Sequence, residues 1–266
     1  MLDLRMVDAG FSRKAEVYDA YCEAHPVIRW ARGLIRAEVL RRIPAGGALL
    51  ELNAGTGSDA AYFVEHGLRV HATDIAAGML DAIRAKAARV SGEGFTVQQV
   101  SFTELPQVTG GPYDLVFSNF GGLNCIPDLR VVTAALAGVL KPGGVVVFVV
   151  MPPFCPWELA LLVRGHIRVA VRRWHPNGVL ANVEGAGVRT WYHTPRTVRA
   201  AFGADYRLLH QQAISWFSPP SYMDRFPLRF PRLARGLMRA DERLGASVPF
   251  RNGGDFILYT FQQHGR

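Results

Sequence analysis

At 266 residues the chain is long for one ordinary domain and short for two, and its 49% apolar content supplies a sizeable core and excludes disorder. A net charge of +8 admits nucleic acid, an acidic membrane surface or a phosphorylated small molecule as partner without choosing among them. Cys22, Cys125 and Cys155 are an odd, scattered set without CxxC spacing, which argues against a disulfide framework or a zinc site and fits a reducing cytoplasm.

The amino terminus has no apolar run of the secretory kind. Helices are expected over residues 13–21 and, after His25-Pro26, over 27–42. A short apolar strand, 48–52, then enters a glycine-rich turn. Strands over 69–73, 95–100, 113–118 and 145–151 alternate with helices over 77–90 and 129–140, and Lys141-Pro142-Gly143-Gly144 is read as the turn before the fifth strand. Residues 143–163 are almost wholly apolar, but Pro152, Pro153, Pro156 and Glu158 would break a membrane helix, so no transmembrane segment is expected.

After residue 153 the alternation stops. A basic helix is expected over 158–174, then a Gly/Asn-rich segment, a helix over 195–202, a strand over 206–216, an arginine-rich helix over 231–244 and a last strand over 255–262. These seven strands predict an α/β, Rossmann-like, doubly wound and mostly parallel sheet. The expected division is a helical cap (1–47), a core (48–153), a lid insertion (154–190) and the remainder of the core (191–266) with a helical insertion at 218–252. The additions should pack over the carboxyl edge of the sheet, where open α/β folds bind ligands. Helical spacing puts Arg164, Arg168 and Arg172 on one face. Arg232, Arg235, Arg239 and Arg243 form a second stripe, with Leu233, Leu237 and Leu244 on or near the opposite side. Such stripes are either solvated faces or anion contacts.

The central motif is Glu51-Leu52-Asn53-Ala54-Gly55-Thr56-Gly57-Ser58-Asp59. Glycines between a strand and a helix allow a tight turn and close approach to a ligand, with free N–H groups at the helix start beyond. Asp74 follows at the end of the next strand, placed either to accept both hydroxyls of a ribose or to cap the helix after it. The chain here resembles the class I S-adenosylmethionine (SAM)-dependent methyltransferases of small-molecule type, over residues 10–151. Glu51, Gly55 and Gly57 match the acidic residue and the second and third glycines of the first motif. Asn53 replaces the first glycine, and Asn is the residue best able to keep its left-handed conformation. Asp74, Ile75 and Met79 match the second motif, and Leu140 to Gly144 match an LKPGG turn.

The resemblance implies SAM as cofactor and S-adenosylhomocysteine as product, with no metal. It implies a cofactor site made of Tyr18, Glu51, Asn53, Ala54, Gly55, Gly57, Asp59, Asp74, Ile75, Met79, Ser101, Phe102, Asn119 and Phe120. In it Asp74 holds the ribose, Ser101 and Phe102 meet the adenine, and Asn119 meets the methionyl moiety or satisfies a turn. The Tyr18-Asp19 pair resembles that of members whose first helix closes over the cofactor.

The acceptor is expected to be a small organic molecule, anionic or apolar, over Met151, Trp157, Trp216 and Tyr222, with Phe120 and Phe217 nearby; these aromatics equally suit a lid core. His25, Glu158 and His193 are candidate bases, with His166 and His175 behind them, and none is assigned as catalytic. Nucleic acid is disfavoured, because Ser118-Asn119-Phe120-Gly121-Gly122 stands where base methylases carry an Asn/Asp-Pro-Pro-Tyr signature. The alternatives are a SAM-binding scaffold that runs another reaction, and a nucleic-acid methyltransferase. Cytoplasmic location is expected, with peripheral membrane contact as an option.

Overall fold

The structure is a computed structural model and describes residues 19–90, 94–183 and 186–265, with the side chains of 182–186 outside the description. Its elements in chain order begin with α1 (Pro26–Arg42), β1 (Ala48–Leu52), α2 (Ser58–Glu65), β2 (Arg69–Asp74), α3 (Ala77–Ala87), β3 (Phe95–Gln99), β4 (Tyr113–Ser118), α4 (Arg130–Thr133) and β5 (Leu140–Val150). There follow α5 (Pro156–Ala160), α6 (Ile167–Val171), β6 (Val179–Val183), β7 (Ala186–Thr190), α7 (Pro195–Phe202), β8 (Tyr206–Ile214), α8 (Arg225–Arg229), α9 (Pro231–Leu244) and β9 (Phe256–Gln263).

Seven strands form one sheet in the order β3-β2-β1-β4-β5-β9-β8. Strands β1 to β5 pair in parallel, and β9 runs antiparallel to both of its neighbours. The chain winds outward from β1 through β2 to β3, then restarts at β4 on the other side. The β1/β4 boundary is therefore the switch point at which such sheets open a ligand crevice.

Residue alternation decides which face each side chain covers. Leu49, Leu115, Val145, Val147 and Val149 pack with α1, α2 and α3 in one core. Leu50, Val116, Val146, Phe148 and Val150 pack on the other face with Leu129, Val132, Val198 and Phe202. Both faces are covered, so the strands read as continuous apolar runs. Two of the recognised motifs are held to each other: Lys141 Nζ lies 2.8 Å from both oxygens of Asp114, which also accepts from the Ala48 N–H at 2.8 Å.

Several expected elements differ. The helix over 129–140 is broken into α4 and a 3₁₀ turn, Leu136–Gly138. The turn at 141–144 falls inside β5, where the register against β4 shifts between Tyr113 and Leu115 and Gly143 takes φ 73°. The Gly/Asn-rich segment is the hairpin β6–β7.

The basic helix over 158–174 does not form as one rod. Gly165, at φ 78°, ends its first part, and α6 starts afresh beyond it. Arg172 therefore turns inward to Glu158 instead of extending a stripe with Arg164 and Arg168. On α9 the buried face is Ala234, Met238 and Asp241, while Leu233 and Leu244 are exposed. Asp241 decides this orientation: its oxygens accept from the backbone N–H groups of Trp216, Phe217 and Ser218, each at 2.9 Å.

Candidate active site

The turn after β1 is shaped by three left-handed residues, Asn53 (φ 44°), Gly55 (φ 58°) and Gly57 (φ 75°). Asn53 thus keeps the conformation for which the turn ordinarily uses glycine. Its side chain spans from β1 to β4, accepting from Ser118 Oγ at 2.7 Å and donating to the Asn119 carbonyl at 3.4 Å. The added bulk is absorbed at Gly122, where a Cβ would lie 2.2 Å from Asn53 Nδ2. Replacing Gly122 with alanine is expected to displace Asn53 and cost about 1–3 kcal/mol in denaturant unfolding. Adding Asn53→Gly should recover most of that loss; unchanged stability in the single variant would contradict the packing described.

Asp74, at the end of β2, closes the turn from the other side. Its Oδ2 accepts from the Gly55 N–H at 2.9 Å, and Oδ1 accepts from Ile75 and Ala76 at 2.8 and 2.9 Å. The carboxylate caps the approach to α3 and orders the glycine turn together.

Asp19 braces the same turn from the helical residues that precede α1. It accepts from Thr56 and Ser58 hydroxyls at 2.5 and 2.7 Å and pairs with Lys86 at 2.5 Å. Burial opposes its ionisation, yet the bonds from Lys86, Thr56 and Ser58 prevail and hold it below the usual carboxylate range. Tyr18 lies outside the described residues.

Beyond β4, Asn119 donates to Asp59 at 2.8 Å and accepts from the Phe120 N–H at 2.7 Å. Asp59 in turn accepts from Arg36 at 2.7 Å and lies 3.4 Å from Arg32, so α1 fastens the loops of both central strands. Phe120 is left-handed (φ 45°), its ring edge-on to Phe256 and under the Arg32 guanidinium at 5.3 Å. Strain in an aromatic residue at the switch point is the kind retained at ligand sites.

A cavity of about 300 Å³ opens between these loops. Of the residues expected at the cofactor, Asn53, Gly55, Asp74, Ile75, Met79, Ser101, Phe102, Asn119 and Phe120 line it. Glu51, Ala54, Gly57 and Asp59 are not among the lining residues. Burial pushes the Glu51 carboxyl well above its usual range; Asp59 adds to this, and Arg32 and Arg36 only partly counter it. Its Oε2 is buried with no hydrogen-bond partner among the described residues. An orphaned acceptor beneath a glycine turn fits a ligand that carries an ammonium group.

The far side of the cavity is made by Gly121, Gly122, Cys125 and Met151 with Ala181, Val188 and Thr190 of the hairpin. Of these only Met151 was expected from sequence. The hairpin residues carry no motif and reach the site only because β6–β7 folds back over it. Asn124 fixes that fold: its Nδ2 donates to the carbonyls of Met151 and Trp191 at 3.0 and 2.5 Å, and its Oδ1 accepts from the Met151 N–H at 2.9 Å.

The remaining aromatics lie outside the lining. Trp157 packs on Phe226 and donates to the Phe217 carbonyl at 3.0 Å, and Trp216 packs between Phe154 and Phe250. Tyr222 donates to Glu158 at 2.9 Å.

Of the candidate bases, Glu158 is 1% exposed and engaged by Arg172 and Arg173; burial works against its charge, but those arginines hold its pKa down to about 2. His25 caps α1 by accepting from Ile28, and His193 is buried beside Met151. Burial lowers the pKa of both imidazoles. His166 and His175 are exposed. Cys155, Glu158 and Asp255 lie close enough to share an ion, but the Arg173 guanidinium already sits 2.7 and 2.6 Å from the two carboxylates and supplies the positive charge there.

Residues 49–144 match the family described as a methyltransferase domain. Over that stretch the chain is similar to the class I SAM-dependent methyltransferases. Around it, the sheet order and flanking helices are those of SAM-dependent methyltransferase structures. The chain is 29% identical over 147 residues to a malonyl-[acyl-carrier protein] O-methyltransferase of Yersinia pestis, a match covering 55% of this chain and 51% of that protein. It is 30% identical over 107 residues to a SAM-dependent Diels-Alderase of Talaromyces variabilis, covering 38% and 35%. The chain thus spans about half the length, or less, of these curated relatives. The crystal structure of Burkholderia thailandensis 1,6-didemethyltoxoflavin-N1-methyltransferase, with its acceptor and S-adenosylhomocysteine bound, superposes with a TM-score of 0.58. That match is at 17% identity and covers 98% of this chain and 88% of that one; it speaks for the shared fold.

Proposed function

We propose that this chain binds SAM and transfers its methyl group to a small, largely apolar organic acceptor. The observation that carries the reading is one continuous cavity with two unlike walls: the glycine turn and Asp74 on one side, Met151, Cys125 and the β6–β7 hairpin on the other. On this reading Asp74 accepts from the ribose, Ile75, Met79 and Phe102 flank the adenine beside Ser101, and Glu51, Gly55 and Asn119 serve the methionyl end. Residues 48–153 hold the cofactor, and 154–190 with 218–252 act as the lid. When bound, SAM supplies an electrophilic methyl group on a sulfonium sulfur.

The chain's own contribution is alignment and exclusion of water. Among the described lining residues the ionisable groups are Asp74 and Cys125. Asp74 is occupied by three backbone N–H groups, and burial raises the Cys125 thiol to about 11, so it stays protonated. The acceptor must then bring a nucleophile that needs no proton removed by that wall: a carboxylate, an ionised phenol or an unprotonated amine. The carboxylate option agrees with the O-methyltransferase relative, and the apolar hairpin wall disfavours nucleic acid. Cytoplasmic residence, with lipid-surface contact as the route by which an apolar acceptor arrives, belongs to the same reading.

Labelled SAM incubated with small-molecule, nucleic-acid and protein extracts tests it. Label should enter the small-molecule fraction. Label in nucleic acid or protein would replace the acceptor class. Label in none, with SAM bound, would favour the second reading, a scaffold of the kind the Diels-Alderase relative represents.

A further inference from the structure

Residues 163–180 expose several large apolar side chains. Val163 is 92% exposed, Leu180 66%, Ile167 62% and Trp174 54%, all within one segment. Single exposed apolar residues are ordinary on a soluble surface, but a contiguous group marks an interaction site. Arg164 and Arg168 stand exposed between them, and the sequence holds no acidic residue from 159 to 183. The same interleaving recurs where Leu228 (73% exposed) and Phe230 (46%) alternate with Arg225, Arg229 and Arg232, again without an acidic residue from 225 to 240. The two stretches adjoin: Trp157 of α5 packs on Phe226 at 5.2 Å, and Phe226 packs on Phe230 at 5.5 Å.

We propose that this face docks on an anionic lipid surface. Neither half of the pattern suffices for that by itself. Arginines alone would suit any polyanion, and apolar residues alone would suit another protein. Interleaved, they match an interface where guanidinium groups meet phosphate headgroups while side chains such as Val163 and Ile167 enter the acyl boundary. The stretch runs on into the hairpin, where Leu180 is exposed while its neighbour Ala181 lines the cavity.

The test is flotation with vesicles of phosphatidylcholine alone and of phosphatidylcholine mixed with phosphatidylglycerol, which reads docking whatever reaction the site performs. The positions chosen, Arg164→Gln with Arg168→Gln and Val163→Ser with Ile167→Ser, are exposed, so both double variants should keep the wild-type melting temperature. The wild type should float with the anionic vesicles and not the neutral ones. Each pair should lower partitioning by about tenfold or more. Absence of flotation overturns the proposal, as does flotation that depends on the arginines but not on Val163 and Ile167. Heparin binding without flotation assigns the arginines to a soluble polyanion and overturns it equally.

Discussion

Arg173→Met is expected to destabilise the protein by about 3–5 kcal/mol, because it leaves two buried carboxylates without their shared cation. Arg173 is 3% exposed. Its guanidinium donates to Glu158 and Asp255 at 2.7 and 2.6 Å and to the carbonyls of Pro152 and Asp255 at 3.2 and 3.0 Å. One side chain thereby ties the segment after β5, the start of β9 and helix α5 together. Denaturant unfolding measures the loss. Replacing Glu158, Arg173 and Asp255 together with apolar residues of similar volume should restore much of it, since the cost lies in the unpaired charges.

The same network sets an acid limit. The folded pKa of Glu158, about 2, lies below its ordinary value of 4.5. Its contribution, about 3 kcal/mol by linkage, is fully present above the ordinary value and is lost as pH falls toward the folded one. Asp255 has the opposite sign: burial outweighs Arg173 and raises its carboxyl, so protonation relieves it and reduces the net slope. Unfolding free energy should therefore fall between about pH 5 and pH 2 by less than Glu158 alone would give. A flat profile there, or an Arg173→Met variant within 1 kcal/mol of wild type, would contradict the roles given to Arg173 and Glu158.

On the proposed cofactor reading, Asp74→Ala is expected to weaken SAM binding by about thirty-fold or more, from the loss of charge-assisted bonds to the ribose. The structure adds a second consequence. Gly55, Ile75 and Ala76 lose their acceptor together, so the glycine turn loosens as well. Asp74→Asn retains one acceptor oxygen and should sit between wild type and alanine in both affinity and stability. Calorimetric titration with S-adenosylhomocysteine reads the first effect and denaturant unfolding the second. Equal affinity in wild type and alanine variant would remove Asp74 from the cofactor site.

The seven strands of the main sheet were legible because each carries a short apolar run bounded by helices or turns, and the glycine turn was legible because its residues answer backbone demands at fixed spacing. The helix over 158–174 was misread because its periodicity is real but local. Gly165 takes a left-handed conformation, and the buried Glu158 pulls Arg172 and Arg173 inward, a tertiary demand invisible to spacing. On α9 the leucines suggested the buried face, yet Asp241 occupies it, because three backbone N–H groups of residues 216–218 need an acceptor there. Trp157, Trp216 and Tyr222 carry no signal that separates a ligand wall from a lid core. Ala181, Val188 and Thr190 are ordinary residues of a hairpin that only its packing against residues 122–125 brings to the cavity.

A glycine turn followed by an acidic residue at the end of the second strand also serves dinucleotides. The most direct measurement is therefore titration of the wild-type protein with SAM, S-adenosylhomocysteine and NAD under the same conditions. The account predicts saturable one-site binding of the first two and none of the third. Binding of NAD, or no binding of either adenosyl compound, would contradict it.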